Sequence, residues 1–224
     1  MTLEEIVQWL ETNQNKENAE GMERFGIATT KIYGLTMPQL RKMAKVIGPN
    51  HALALKLWSF NSRETRILAG MVEEPKKTTP QQMDTWAQEF DNWEICDQTC
   101  QNLYIKTRFA IDKAIEWSDD EREYVKRSGF AIMAWLAFKK QHLKEDTLHT
   151  FLTLLKEGAS DDRKMVKKSV NWALRQIGKR DKEWNDHAIA TAKEIALIGT
   201  KPARWIARDA LKELESKAVQ LRLR

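Results

Sequence analysis

Apolar residues recur at intervals of three and four along almost the whole chain, and the residues that interrupt helices fall between those runs. Glycine and proline are few, at 9 and 5 of 224 residues, and most occur in short gaps such as Gly48-Pro49. No segment sustains the alternation of apolar and polar residues that a half-buried strand requires. The pattern therefore predicts an all-α chain of about a dozen helices with short connections.

The expected helices cover most of the sequence. We place them at residues 3–14, 18–27, 37–47, 50–58, 62–73, 80–90, 93–103, 106–117, 120–138, 143–156, 162–179, 183–198 and 202–220. Helix pairs at intervals of about 35 to 45 residues favour stacked α-hairpins, although no strict sequence period is visible. Residues 129–138, GFAIMAWLAF, are apolar on every side and predict an inner helix. No linker divides the chain, so we expect one domain over residues 1–224.

The segment KMVKKSVNWALRQIGKR, residues 164–180, has a tryptophan on its charged side. In a helix that turns about 100° per residue, four cations and an indole share one stripe. The residues of this stripe are Lys164, Lys168, Trp172, Arg175 and Lys179. The opposite side carries the apolar residues Val166, Val170, Ala173 and Ile177. An indole framed by cations suits an anionic partner with flat faces, which describes nucleic acid. The alternative is a solvated face whose tryptophan is covered by a neighbouring helix.

A second candidate site lies in DNWEICDQTCQNLY, residues 91–104. Trp93 and Asp97 are four residues apart, so a helix places the indole and the carboxylate on one face, one turn apart. Such a carboxylate could act as a base toward water or stabilise a developing cation. The alternative is structural, with Asp97 bonding a neighbouring helix end and Trp93 packing between hairpins.

Two further sets of cations have open assignments. Arg127 falls early in the central helix, where a cation opposes the helix dipole unless it points at an external anion. It could bind a phosphate, or it could form a surface salt bridge with Glu121 or Glu123. Arg204 and Arg208 are one turn apart and could form a second cationic stripe. The charged outer face of the last helix is the interpretation that we favour for them.

Composition and missing motifs limit the class of protein. The net charge of +5 favours a polyanionic partner without demanding one. The N-terminus lacks the pattern of a secretory signal, and no apolar stretch approaches the length of a membrane span, so we expect a cytoplasmic protein. Cys96 and Cys100 are poorly spaced for a disulfide, which predicts reduced thiols, and the four scattered histidines predict no metal site. No phosphate-binding loop, nucleophile elbow or HExxH pair occurs.

Five segments resemble the bacterial DNA alkylation repair family, which includes the AlkD-type HEAT-like-repeat alkylpurine DNA glycosylases. The segments are FGIATTKIYGLTMPQLRKMAK, EFDNWEICDQTC, REYVKRSGFAIMAWLA, DDRKMVKKSVNWALRQIGKR and ARWIARDALKEL. Together they span nearly the whole chain, and the Trp-x-x-x-Asp pair followed by NWALR is the most specific part. The resemblance implies a right-handed α-α superhelix, a HEAT-like repeat solenoid whose concave basic groove holds double-stranded DNA.

The resemblance also implies roles for individual residues. Asp97 matches the catalytic aspartate, and Trp93 and Trp172 match two tryptophans that face the lesion. Arg127, Arg175 and Lys179 match positions that contact the DNA backbone, and the cationic stripe adds Lys164 and Lys168 as DNA-binding candidates. We therefore expect Trp172 and Asp97 to face each other across one groove of a monomer.

The resulting hypothesis is a monofunctional DNA glycosylase that hydrolyses the N-glycosidic bond of positively charged N3- or N7-alkylated purines in alkylated duplex DNA. A cationic purine is already a good leaving group, so neither a metal nor another cofactor is expected. The resemblance suggests that the lesion is held without the deep base pocket that most glycosylases use. The alternative is a non-catalytic HEAT-like protein that recognises distorted or branched DNA, and a protein-interaction scaffold is a third class.

Overall fold

A computed structural model describes residues 1–27 and 31–223 of the chain, so residues 28–30, within the first segment quoted above, and residue 224 lie outside it. The described residues form fourteen α-helices and two short 3-10 turns, at Tyr104–Lys106 and Gly158–Ser160, and they contain no β-strand. The helices are α1 (Leu3–Thr12), α2 (Lys16–Arg24), α3 (Met37–Ile47), α4 (His51–Phe60), α5 (Arg63–Val72), α6 (Pro80–Gln88), α7 (Trp93–Asn102), α8 (Ala110–Trp117), α9 (Glu123–Phe138), α10 (Glu145–Glu157), α11 (Lys164–Ile177), α12 (Lys182–Leu197), α13 (Lys201–Leu214) and α14 (Lys217–Arg222). The all-α prediction is confirmed.

Helix α3 shows how local sequence sets the helix limits. The Gln39 side chain accepts a hydrogen bond at 2.9 Å from the backbone N–H of Thr36, which precedes the helix. Pro38 lies in the first turn, where its missing N–H costs no helical hydrogen bond. Gly48 ends the helix with φ of +71°, a conformation that glycine adopts without strain. The predicted limits, 37–47, agree with the structure for this reason.

Two predicted helices are interrupted. Thr107 has extended backbone angles, and its hydroxyl donates to the Tyr104 carbonyl at 2.9 Å, so the predicted helix 106–117 begins only at Ala110. Ser216 caps α14 by accepting from the Val219 N–H, which divides the predicted helix 202–220. In both places a hydroxyl bonds the backbone locally and competes with a continuous helix.

Backbone contacts divide the chain into two compact units, Met1–Arg108 and Phe109–Arg224. The single domain over residues 1–224 stays a prediction. In the first unit α5 is the central helix, since it packs against α3, α4 and α7. Nine of its ten residues are buried, including the charged pair Arg63 and Glu64.

The second unit is built around α9, which packs against α8 and α11. Every residue from 129 to 134 is buried, as predicted for an inner helix, although Phe138 at its end is 54% exposed. Helices α8 and α9 approach closely at Gly129, where an added Cβ would lie 2.7 Å from the backbone nitrogen of Ser118. Helix α11 packs in turn against α13, and α12 also packs against α13.

Candidate nucleic-acid interface

Helix α7 carries the predicted Trp93 and Asp97 pair. Asn92 starts this helix, because its side-chain oxygen accepts from the backbone N–H groups of Glu94 and Ile95 at 3.0 and 3.1 Å. The core-facing residues Ile95, Cys96, Thr99 and Cys100 are fully buried. Trp93 and Asp97 fall on another side of the helix and are half-buried. The first unit therefore places an indole and a carboxylate one turn apart on this side of α7, both half-buried.

The Trp93 indole is anchored within the first unit. Its Nε1–H donates to the carbonyl oxygen of Phe25 at 3.3 Å. Phe25 follows α2, and its own side chain is 79% exposed. This hydrogen bond fixes the position of the indole edge that carries the N–H group.

A buried ion pair fixes the start of α7. Arg63 of α5 is 1% exposed and forms a bidentate pair with Glu94, with Nε to Oε2 at 2.6 Å and Nη2 to Oε1 at 2.7 Å. Burial alone would lower the pKa of the Arg63 guanidinium, but the hydrogen bonds and charge of Glu94 outweigh burial and raise it. Arg63 therefore stays charged and locks Glu94, the neighbour of Trp93, onto α5.

A second carboxylate extends the same network. Glu64 accepts from the backbone N–H groups of Tyr33, Gly34 and Leu35 at 3.0 to 3.2 Å. Arg63 Nη1 also donates to the Leu35 carbonyl at 2.8 Å. Sequence reasoning missed this network, because Arg63 and Glu64 look like the ordinary exposed charges of a first helical turn. Only their packing against α7 and residues 33–35 distinguishes them.

Helix α11 has the predicted apolar side. Val166, Val170, Ala173 and Ile177 are fully buried, which confirms that side of the helix. Trp172 is half-buried and meets Trp135 of α9 edge to face, with ring centroids 5.2 Å apart and planes at 89°. With the Gln176 carboxamide oriented so that its oxygen faces hydrogen-bond donors, that oxygen accepts a hydrogen bond from the Trp172 indole N–H at 3.2 Å. A neighbouring helix therefore covers part of the indole and leaves the rest accessible.

The cations of the α11 stripe fall into two groups. Lys164 and Lys168 are exposed and form no ion pair with the residues that the structure describes. Arg175 Nη1 pairs with the Glu213 carboxylate of α13, and Lys179 Nζ reaches the same carboxylate at 2.7 Å. Asp209 lies 3.9 Å from Arg175 Nε. The basic stripe is thus partly neutralised at its C-terminal end by α13.

The Glu213 carboxyl responds to these two cations. Burial alone would raise its pKa, but the hydrogen bond from Lys179 and the charge of Arg175 outweigh burial, so its pKa is lower than usual. The carboxylate is therefore ionised at neutral pH and competes with any external anion for Arg175 and Lys179.

Arg127 is buried, whereas a cation that binds a phosphate of DNA is expected to be exposed. It is 6% exposed, and its Nη1 donates to the Met165 carbonyl in the first turn of α11 at 2.7 Å. The early turns of α9 are covered because α9 and α11 pack along each other. Arg127 therefore ties α9 to α11, and its contact with DNA stays a prediction.

Arg204 and Arg208 are exposed on α13, which fits either a second cationic stripe or a charged outer face. Lys201, Trp205 and Lys212 share that stripe of the helix. Sequence reasoning named only the two arginines, although stepping at about 100° per residue along KPARWIARDALK would have found all five.

A family model for the DNA alkylation repair enzymes matches residues 6–214 of this chain. The chain belongs to that family. Among curated proteins, the uncharacterized protein Lmo0209 of Listeria monocytogenes serovar 1/2a (strain ATCC BAA-679 / EGD-e) is 22% identical over 171 residues, which cover 75% of this chain and 74% of Lmo0209. A solved structure from a new family of proteins related to the HEAT-like repeat DNA glycosylases, with affinity for branched DNA structures, matches with a TM-score of 0.83 at 20% identity. That match covers 100% of this chain and 96% of the other.

These comparisons establish the fold of this DNA alkylation repair family member as HEAT-like repeats. Within residues 1–27 and 31–223, no helix is long and apolar enough to cross a membrane. In the same part of the chain, no three His, Cys, Asp or Glu side chains are grouped so that they could hold a metal ion.

Proposed function

We propose that the protein is a DNA glycosylase that releases positively charged N3- or N7-alkylated purines from duplex DNA. The observation that carries the proposal is the half-buried Asp97 carboxylate one turn from the half-buried Trp93 indole, on a helix whose start is locked by the Arg63 and Glu94 pair. Membership in the DNA alkylation repair enzyme family supplies the class of substrate.

The reaction requires few protein groups. The bond between C1′ of the sugar and the purine nitrogen breaks, and its electron pair goes to the purine, which leaves as a neutral base. The sugar becomes cationic, and a nearby carboxylate stabilises that charge. Water then adds to C1′, and its proton passes to Asp97 or to solvent. The products are the free alkylated base and an abasic site.

The indoles and cations have complementary tasks in this proposal. Indole faces of Trp93 and Trp172 attract a cationic base or sugar, at about 0.5 to 2 kcal/mol for each contact. Lys164 and Lys168 bind backbone phosphates directly, because they are exposed and have no carboxylate partner among the described residues. Arg175 and Lys179 bind phosphates when the phosphates displace the Glu213 carboxylate from them.

The test measures release of 7-methylguanine and 3-methyladenine from alkylated duplex DNA. The native chain is compared with Asp97→Asn and with Asp119→Asn, a matched control at an exposed aspartate between α8 and α9. We expect Asp97→Asn to lose release while keeping its DNA affinity, and we expect Asp119→Asn to match the native chain. Native release at the spontaneous rate, or equal release by the Asp97 variant, would refute the proposal.

Non-catalytic recognition of branched DNA is the second candidate function. It is favoured by the similarity to a protein with affinity for branched DNA structures over the full length of this chain. Engagement of Arg175 and Lys179 by Glu213 also fits a surface that opens only for a dense arrangement of phosphates. Tighter binding to a four-way junction than to a linear duplex, without base release, would select this candidate.

A further inference from the structure

Helix α13 has an uncompensated cationic face. Lys201, Arg204, Arg208 and Lys212 are all exposed along one side of this helix. None of the four forms an ion pair within residues 1–27 and 31–223. They recur every three or four residues, so they are spaced by about 4.5 to 6 Å along the helix axis. This regular row of cations has no counter-charge from the described part of the protein.

The carboxylates of α13 point elsewhere. Asp209 is the only acidic residue between Lys201 and Lys212, and it lies 3.9 Å from Arg175. Glu213 binds Arg175 and Lys179. The acidic flank of α13 therefore compensates α11, and the cationic flank is left for an external anion. This division makes the potential on the second flank positive although the net charge of the chain is only +5.

An indole lies within the cationic row. Trp205 is half-buried, and Lys167 of α11 places its Nζ 5.2 Å from the centre of the Trp205 ring. Lys201, Arg204, Trp205 and Arg208 line an open depression of 630 Å³, with Leu211 at its apolar side. Arg204 also donates to the Gly199 carbonyl, which holds its guanidinium at the edge of the depression. The surface thus combines a flat aromatic group with several cations, as nucleic-acid contacts do.

We propose that this α13 face, formed by Lys201, Arg204, Trp205, Arg208 and Lys212, is a DNA backbone docking site separate from the α11 stripe. The occupant is the phosphate backbone of DNA, because a row of four exposed cations matches a repeating anion better than a single ligand. The identity of the partner as DNA rests on the proposed function. The α11 stripe shares its C-terminal cations with Glu213, whereas the α13 face is open to phosphate without rearrangement.

The test compares two double variants that remove the same charge. Arg204→Gln with Arg208→Gln alters the α13 face, and Lys144→Gln with Lys193→Gln removes two exposed cations elsewhere in the same unit. Binding to a 30-base-pair duplex is measured over a range of salt concentrations. Each phosphate contact contributes a slope of roughly −0.9 to log K against log salt. We expect the arginine variant to lose about 1.8 of that slope and to bind roughly tenfold or more weakly at 0.1 M salt.

Three outcomes separate this inference from the proposed function. A slope and affinity that change equally in both double variants would overturn the α13 site, while native base release would still support the glycosylase. If the arginine double variant binds DNA as the native chain does but no longer binds vesicles containing phosphatidylserine, the α13 DNA site is overturned in favour of a membrane surface. A native chain that does not bind DNA would refute both proposals. Melting temperatures of both double variants that match the native chain would show that the exposed substitutions leave the fold intact.

Discussion

Arg175 of α11 is paired with the Glu213 carboxylate of α13, and Lys179 shares that carboxylate at 2.7 Å. Two cations expected to hold the DNA backbone are therefore already bound to an anion of the protein itself. A phosphate that reaches them must displace Glu213 or share the cations with it. The measured affinity for DNA then reports the difference between two ion pairs rather than the strength of one.

Glu213→Gln should strengthen DNA binding, because it frees Arg175 and Lys179 and removes a charge that repels phosphate. If both cations then contact phosphates, the slope of log K against log salt becomes steeper by about 1.8. Glu194→Gln is the control, since Glu194 also pairs with a lysine, Lys156, at 2.9 Å. Equal effects of the two substitutions would mean that Arg175 and Lys179 do not bind DNA.

The same carboxylate should make stability depend on pH. Its pKa is lowered in the folded protein, so its contribution is present above the unfolded pKa of about 4.3 and is lost as the pH falls through the lower folded value. The native chain should therefore exceed Glu213→Gln in urea midpoint at pH 7, and the difference should shrink between about pH 5 and pH 3. The difference is modest and decreases in high salt, because the carboxyl is partly exposed. A difference that grows on acidification would contradict the assignment.

The buried pair of Arg63 and Glu94 should dominate the stability of the first unit. Glu94→Gln leaves the Arg63 guanidinium buried with incomplete compensation, and breaking a buried pair from one side costs about 3 to 5 kcal/mol of unfolding free energy. Arg63→Met should lose more, because it leaves the carboxylates of both Glu94 and Glu64 buried without their cation. Urea unfolding of the two single variants checks this order. An Arg63→Met variant more stable than Glu94→Gln would contradict it.

Local signals explain how far the sequence predicted the helices. The limits of α3 follow from Thr36, Pro38 and Gly48, all visible in the sequence, and the buried side of α11 follows from helical periodicity. The break at Thr107 was missed, because a threonine hydroxyl bonds the backbone in some helical contexts and not in others. Periodicity identifies which side of a helix is apolar but carries no signal for such a break.

The candidate site was predictable only within single helices. The spacing of Trp93 and Asp97 placed both on one side of α7, where the structure has them half-buried. Pairing of Glu213 with Arg175 joins residues 38 positions apart, so no spacing rule reaches it. Burial of Arg127 likewise depends on α11 packing against α9. The predicted arrangement of Asp97 opposite Trp172 stays a prediction, since the two residues belong to different units.

Trp172→Ala should lower base release more than stability. The indole is half-buried, and its removal loses one edge contact with Trp135, worth about 0.5 to 1.5 kcal/mol beyond the buried area. Leu174→Ala is the structural comparison, because Leu174 is fully buried on the same helix and its truncation should cost about 2 to 5 kcal/mol. Trp172→Phe should retain much of the release, since it keeps an aromatic face. If Trp172→Ala instead melts as early as Leu174→Ala and keeps full activity per folded molecule, the indole belongs to the core and not to the DNA surface.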